Sequence, residues 1–555
     1  MKARSIFLPF GIIAAIVLCA AVNSNAKVIN AASVQFADVS NAVAQASPGD
    51  VVDIPAGTIT WSQTLILSNG VSLNGAGTNS TILIDEENRS VSAQMIMVYP
   101  AAGYESQISN LQLQGGTTNT SPNYFGAIAV YGFAGSSWRI DNCVFNGLYA
   151  KSICTYGNSL SVIDHNFFFE KLLSIAANTY IPNDGEGDAS WASPPTYGLN
   201  SSNVLYIENN FFTNLVGYVA SVGACDGNGG SRMVFRYNTV WNDCFNNHGT
   251  ESGGRIRSQR SFEVYGNTFI CPTNSVAYPI FAAMLIRGGS GVIFSNSASG
   301  YNDLVALRNY RYTCTYYNEW DPFAGANGLS WYDSNDPTLY LTGTNSAPSG
   351  STYLQVNGAH WTPNQWYGYT VLNTNNGGFS VITSNTTNII YYLGSTVQSA
   401  SIVACSVLTF NMGDTFQIRR VYAALDQPGR GSGNLLEDLG VATNGESQGF
   451  GLGTNQVLLT INTSTGIPSW PNQALDGIYA WGNTTNGVAA NLDSMYPTLQ
   501  AGRDYYNNTQ MPGYTPFVYP HPLVTYVGVS TNPPPPPQTN GPLPPTNLHQ
   551  IYPNP

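Results

Sequence analysis

The sequence predicts an all-β fold in which the chain coils on itself, each turn contributing a few short strands. One observation is a ladder of asparagines, each following a β-forming run. It reads Ile-Ser-Asn110, Ile-Asp-Asn142, Ile-Asp-His-Asn166, Ile-Glu-Asn-Asn210, Phe-Arg-Tyr-Asn238, Val-Tyr-Gly-Asn267 and Ile-Phe-Ser-Asn296, at intervals of 32, 24, 44, 28, 29 and 29 residues. A recurring period of this size marks stacked supersecondary units. A second observation is composition. Charged residues are only 9% of the chain, and 56 glycines and 34 tyrosines accompany abundant Asn, Ser and Thr, which suits short strands and tight turns. A third is the near-repeat of Phe262–Thr268 (FEVYGNT) at Ile478–Thr484 (IYAWGNT). It implies that the coil resumes after a long interruption.

The elements follow in order. Residues 1–26 read as a signal peptide: Lys2 and Arg4 are basic, Ile6 to Ala21 is apolar, and Ser24-Asn25-Ala26 offers small residues for cleavage. No later apolar run is long enough to span a bilayer, so a secreted, periplasmic or cell-surface location is expected. Phe36, Val39, Ala42, Val43 and Ala46 follow helical spacing, and Ser47-Pro48-Gly49-Asp50 ends the helix. Strands then begin at Val51–Thr58 and Val71–Gly77.

This helix, with the Pro48-Gly49-Asp50 and Ile54-Pro55-Ala56-Gly57-Thr58 motifs after it, resembles the start of secreted right-handed parallel β-helices of the pectate-lyase-like superfamily. The resemblance covers about residues 31–310. It implies an N-terminal capping helix over the open end of the coil, shielding apolar groups and strand edges. The ladder asparagines then read as corners, because asparagine tolerates left-handed backbone and its amide can bond the rung above.

The coil is expected over residues 27–335, with a projecting acidic loop around Ile181–Trp191. Residues 336–420 change texture and predict an inserted small β domain. Its strands are read at Trp361–Tyr369 and Phe379–Asn385, with a last hairpin at Asn411–Ile418. Residues 421–525 should return to the coil, and the Pro-rich residues 526–555 should form an extended tail.

Net charge is −12, or −14 once Lys2 and Arg4 are removed. So acidic a chain is a poor candidate for nucleic acid or anionic membranes. Seven cysteines remain after cleavage: Cys143, Cys154, Cys225, Cys244, Cys271, Cys314 and Cys405. An odd number leaves at least one thiol unpaired within a monomer, and Cys225, Cys244 and Cys271 lie near enough in sequence to be candidates for pairing. No Cys/His spacing points to zinc.

Against that acidic background, eight arginines fall between Arg232 and Arg311 against four carboxylates, Asp243, Glu251, Glu263 and Asp303, a local balance of +4. Guanidinium groups bind planar anions in a two-point fork, so uronate carboxylates are natural partners. The stretch from His248 to Arg260, HGTESGGRIRSQR, is the most reactive-looking. Its glycines permit close approach of a substrate, and His248 is the general acid/base candidate. With a 29-residue rung, Arg287 stacks over Ser258. Arg260, two residues on, would share a face with Arg287 on an uninterrupted strand, so the pair could clamp a sugar acid.

The superfamily resemblance implies a polysaccharide lyase, hydrolase or esterase. In a lyase the uronate carboxylate is neutralised by Ca²⁺, Arg or Lys while a base removes the alpha proton. Only Lys27, Lys151 and Lys171 remain after cleavage, which favours arginine. The expected catalytic set is therefore His248, Arg257, Arg260 and Arg287, with Arg255, Glu251, Arg236 and Arg308 binding an acidic polysaccharide. Asp184, Glu186 and Asp188 are the candidate Ca²⁺ ligands. A hydrolase would draw its paired carboxylates from the same acidic loop. The sequence lacks the vWiDH and RxPxxR motifs of pectate lyases and the paired-Asp pattern of polygalacturonases. The stretches His248–Arg260 and Arg503–Leu523 resemble an uncharacterised subgroup of bacterial secreted β-helix proteins, which implies no particular activity. A non-catalytic matrix protein that binds glycan or self-associates is the alternative.

Overall fold

The computed structural model describes residues 26–87, 94–117, 125–178, 190–191, 194–214, 223–249, 258–309, 336, 338–393, 408–420, 426–431, 461–462, 467–468, 474–494, 496 and 498–525. The predicted leader and Pro-rich tail lie almost wholly outside these residues. Three long sheets of 12, 11 and 10 strands wind about one axis as a right-handed parallel β-helix. Each turn visits them in chain order. One example is Ser137–Asp141 in the first sheet, Val144–Asn146 in the second and Ile153–Tyr156 in the third.

The helix Phe36–Gln45 covers the first turn, as expected of a cap. Val39 and Ala42 are buried, and Phe36 meets Trp61 edge-on at 5.4 Å. Inside the coil, like residues stack on like. Phe145, Phe168 and Phe212 occupy successive turns with ring centroids 4.7 Å apart. That spacing is the rung repeat itself, so each phenylalanine buries both faces against its neighbours.

The asparagine ladder forms the expected amide bonds between rungs, but its left-handed corners mostly fall on other residues. Oδ1 of Asn210 accepts both the backbone N–H (3.0 Å) and the amide N–H (3.1 Å) of Asn166. Asn238, Asn267, Asn296 and Asn483 repeat this on the rungs that follow. Each amide also donates to a carbonyl of the preceding turn, as Asn267 does to Phe235 at 2.9 Å. These asparagines are buried and are not the left-handed residues. The positive φ falls one residue earlier, on His165, Asn209, Tyr237, Gly266 and Ser295. Asn110 and Asn142 do carry it themselves (58° and 50°). They are corners outside the amide stack, because Leu111 and Cys143 take the ladder position on those rungs.

The coil does resume. Strand Ser290–Phe294 pairs in parallel with Ile478–Trp481, and Asn296 bonds Asn483 across 187 residues of sequence. The inserted small β domain lies in that interval. It is a six-stranded antiparallel sheet with a core of Leu354, Val371, Ile382, Ile390, Phe410, Phe416 and Ile418. Phe379–Asn385 is a strand as expected. Trp361–Gly368 is instead a run of turns, with Trp366 packed into the domain core. Cys143, Cys154, Cys225, Cys244 and Cys271 are buried and form no disulfide with one another. Cys225, Cys244 and Cys271, candidates for pairing from their closeness in sequence, are not paired with one another, and Cys225 faces Met233 Sδ at 3.4 Å.

The ladder and the corners should respond differently to mutation. Asn267→Ala removes a buried acceptor and leaves the backbone N–H of Asn238 without its partner. A loss of about 3 kcal/mol or more is expected. Asn142→Gly keeps the left-handed corner and should cost under about 1 kcal/mol. Thermal midpoints of the two variants check this.

Candidate functional site

The arginine-rich region divides into two groups once it is folded. The first braces the coil from outside. Arg236 is fully buried, pairs with Glu208 at 2.6 Å and donates to the carbonyls of Phe517 and Val518. Arg139 grips Asp164 with two 2.8 Å bonds and donates to the carbonyls of Leu523 and Val524. Tyr514 donates to Glu263 at 2.5 Å, and the His521 N–H donates to Glu208 at 2.9 Å. Together these contacts strap the C-terminal segment Tyr514–Val524 over the outer face of the first sheet.

Arg260 is also fully buried. It donates to Ser290 and Asp476 at 3.1 Å and lies 5.1 Å over the ring of Trp191. Arg232 donates to the carbonyls of Ser190 and Pro194 in the same loop region. Arg236 and Arg260 were expected at a substrate, and their placement corrects that expectation, because burial leaves neither a surface to offer a glycan. The proposed Arg260–Arg287 clamp fails for a local reason. A corner at Gly289 (φ 77°) separates the third-sheet strand ending at Ile286 from the first-sheet strand starting at Ser290. Arg260 occupies the equivalent corner itself, since Ser261 pairs with Ser290 and Arg260 therefore aligns with Gly289 rather than with Arg287.

The second group gathers on the outer face of the third sheet. Gly227 pairs with Asn247, and the His248 N–H donates to the Gly227 carbonyl at 2.8 Å. Ile286 pairs with Leu307, and the Arg308 N–H donates to the Ile286 carbonyl at 2.8 Å. With Asn246 paired to Leu285, His248, Arg287 and Arg308 occupy the same position on three successive rungs. Each follows an inward residue, Asn247, Ile286 or Leu307, which are respectively fully, fully and almost fully buried. The period-2 alternation of a strand therefore turns all three outward.

Asn247 is the pivot of this column. Its Oδ1 accepts the Arg287 N–H at 2.6 Å, its carbonyl accepts Arg287 Nε at 2.8 Å, and its amide donates to Gln259 and to the Gly288 carbonyl. Asp226 Oδ1 meets His248 Nδ1 at 2.5 Å, with the imidazole 21% exposed. A carboxylate accepting from Nδ1 leaves Nε2 to accept a proton. Arg308 lies 4.6 Å over Phe281 and reaches the Tyr496 hydroxyl at 3.4 Å. An acid/base group and two cations thus face outward at rung spacing.

Glu251, Arg255 and Arg257, like Asp184, Glu186 and Asp188, lie outside the described residues. Among the described residues no group of three His, Cys, Asp or Glu could hold a metal, and no helix is long and apolar enough to cross a membrane. Sequence reasoning missed Asp226 and Asn247. The signal for Asp226 was its position one rung before His248, which only a paired register reveals.

A carboxylate cluster lies beside the strap. Burial, reinforced by Asp141 and Asp164, pushes Glu105 up to about 8, against the opposing pull of Arg139. Burial likewise lifts Asp141 to about 6. Burial acts to raise Asp164 too, but His165 and Arg139 outweigh it and hold it low. Asp141 and Asp164 are buried beneath the Arg139 contacts, so this cluster does not present paired carboxylates to a substrate.

No protein-family model matches this sequence, and no curated protein does either. Solved structures with a similar course include AlyGC, an alginate lyase of family PL6 (16% identity, TM-score 0.29, covering 50% of this chain and 38% of that one). The ORF18 protein of Geobacillus virus E2 is another (12% identity, TM-score 0.33, 69% and 79%). The pectin methylesterase PemA from Erwinia chrysanthemi is a third (12% identity, TM-score 0.27, 50% and 81%). The chain thus spans under two fifths of the length of AlyGC.

Two predictions follow from the division of charge. Arg236→Met strands the buried Glu208 and should cost about 3–5 kcal/mol, with hydrogen exchange rising across residues 513–525. Arg287→Met should leave exchange in that segment unchanged. Glu105 and Asp141 bind protons more tightly folded than unfolded, so the stability they contribute falls as pH rises from about 4 to about 8. Glu105→Gln should therefore gain on the parent protein as pH climbs from about 5 to about 9, read as a widening gap in thermal midpoint.

Proposed function

We propose that the protein binds an acidic polysaccharide along the outer face of its third sheet and cleaves it by β-elimination. The single observation that carries this reading is the in-register column of His248, Arg287 and Arg308, with Asp226 on the imidazole. Arg287 and Arg308 hold uronate carboxylates, and their charge acidifies the proton on the adjacent carbon. Nε2 of His248, with Nδ1 oriented by Asp226, takes that proton. The electron pair left behind forms the carbon–carbon double bond, and the glycosidic oxygen on the neighbouring carbon departs. The resulting imidazolium is the acid at hand for that oxygen. The leader-like sequence at residues 1–26 points to export, which suits a polymeric substrate. Ca²⁺ is not needed in this scheme, although the acidic loop remains a candidate site for it.

The second reading is a non-catalytic glycan-binding or matrix protein, capable of self-association. What favours it is that Arg232, Arg236 and Arg260 serve the architecture rather than a ligand. The carboxylates that a loop hydrolase would use, Asp184, Glu186 and Asp188, lie outside the described residues.

Incubation with a panel of uronate polymers separates these readings. Lyase action gives ultraviolet absorbance from the unsaturated product. His248→Ala and Arg287→Ala should each lower that rate by about 100-fold or more, while their thermal midpoints stay near that of the parent. Binding without any absorbance across the panel would favour the matrix reading. New reducing ends without absorbance would favour hydrolysis.

A further inference from the structure

The column that holds His248 does not start there. On earlier rungs the same outward position is occupied by Tyr99, Tyr131 and Tyr156. Val98 pairs with Val130, and Tyr131 pairs with Tyr156. The register continues through Asn178 and Asn228, which pair with each other, and from Gly227 and Asn247 it reaches His248. The three rings are stacked, with centroids 5.0 and 4.9 Å apart and interplanar angles of 11° and 8°. Tyr99 is 39% exposed, and Tyr131 and Tyr156 are part-buried.

Stacking decides what this ladder can offer a ligand. Each ring covers the face of the next, so a sugar meets ring edges and phenolic hydroxyls rather than a flat aromatic platform. The hydroxyls repeat once per rung, which is roughly the length of one sugar in an extended 1,4-linked chain. A polymer lying along the coil axis would therefore present one sugar to each tyrosine. Its direction is the one that brings the same chain over His248, Arg287 and Arg308. From Tyr99 to Arg308 the column spans eight positions, about 34 Å at the usual strand spacing.

We propose that Tyr99, Tyr131 and Tyr156 form a remote subsite that binds the hydroxyls of the same uronate polysaccharide, several sugars away from the basic residues. This rests on the reading that His248, Arg287 and Arg308 engage that polymer. The charge sequence along the column supports it, with a neutral hydroxyl ladder at one end and cations at the other. Such a site selects for chain length, because only a long chain reaches both ends.

The test uses the full-length protein with His248→Ala, so that turnover does not consume the ligand. The ligands are polygalacturonate, alginate and a trimer of each, with affinity measured by calorimetry. Into this background the three substitutions Tyr99→Phe, Tyr131→Phe and Tyr156→Phe are introduced together. They remove the hydroxyls but keep the stack, and an unchanged thermal midpoint verifies the fold. Affinity for the bound polymer should fall about tenfold or more, and affinity for its trimer should not change. Polymer affinity equal to the background protein's, with Arg287→Ala still weakening it, overturns the remote subsite and leaves the proposed function standing. Failure of the background protein to bind either polymer overturns both.

Discussion

A buried hydrogen bond between asparagine side-chain amides on neighbouring turns sets the register of this coil. From Asn210 to Asn483, each ladder asparagine accepts two N–H groups from the asparagine one turn earlier and returns its own amide to a carbonyl of that turn. A strand shifted by one residue would leave these donors unmet in the interior, and it would also exchange the inward and outward faces. The same corner therefore fixes which side chains stack on the far side of each turn. Phe145 lies on Phe168, and His248 lies in line with Arg287, because the corner between first and second sheets leaves one alignment only.

With register fixed, the division of the arginines follows from where each falls on its turn. Those on the first sheet's outer face meet carboxylates on neighbouring rungs, as Arg236 meets Glu208 and Arg139 meets Asp164. A buried ion pair is stable only when its remaining donors are satisfied. The strap supplies those acceptors through the carbonyls of Phe517, Val518, Leu523 and Val524. Arg287 and Arg308 stand at the end of third-sheet strands, which this strap does not cover. Local positive charge in the sequence thus reflects two separate placements, one packed beneath the strap and one on the outer face of the third sheet.

The coil was legible because its period is written in single residues, and the capping helix because its apolar spacing is local. The return at Ile478–Trp481 was legible for the same reason: a turn of the coil has its own sequence pattern wherever it occurs. His248 stood out as a histidine among glycines, and Arg287 by counting back from Asn296, but the count set Arg287 over Ser258 where the register sets it over His248. Counting failed for Arg260, because a corner between sheets leaves no mark on the count. It could not find the Phe517 carbonyl that Arg236 also bonds, which lies 281 residues away. The tyrosine ladder was within reach, since Tyr99 and Tyr131 each stand eleven residues before a corner asparagine, Asn110 and Asn142. Aromatic stripes usually signal packing, so the spacing alone carried little weight.

The three corners of each turn are not equivalent, and the difference bears on where a site can arise. The connection from first to second sheet is two residues at Asn142–Cys143, and the amide ladder keeps it short on later rungs. The connection from third to first sheet varies from three residues at Gly157–Ser159 to the whole interval between Leu307 and Ile478, inserted domain included. The longest additions therefore emerge from this edge of the coil. The column from Tyr99 to Arg308 ends the third-sheet strands at that same edge. Loops can change there without disturbing the ladder, because the hydrogen bonds that fix register lie at a different corner. The rigid part of the molecule positions His248, Arg287 and Arg308, and the variable part begins at the next residue.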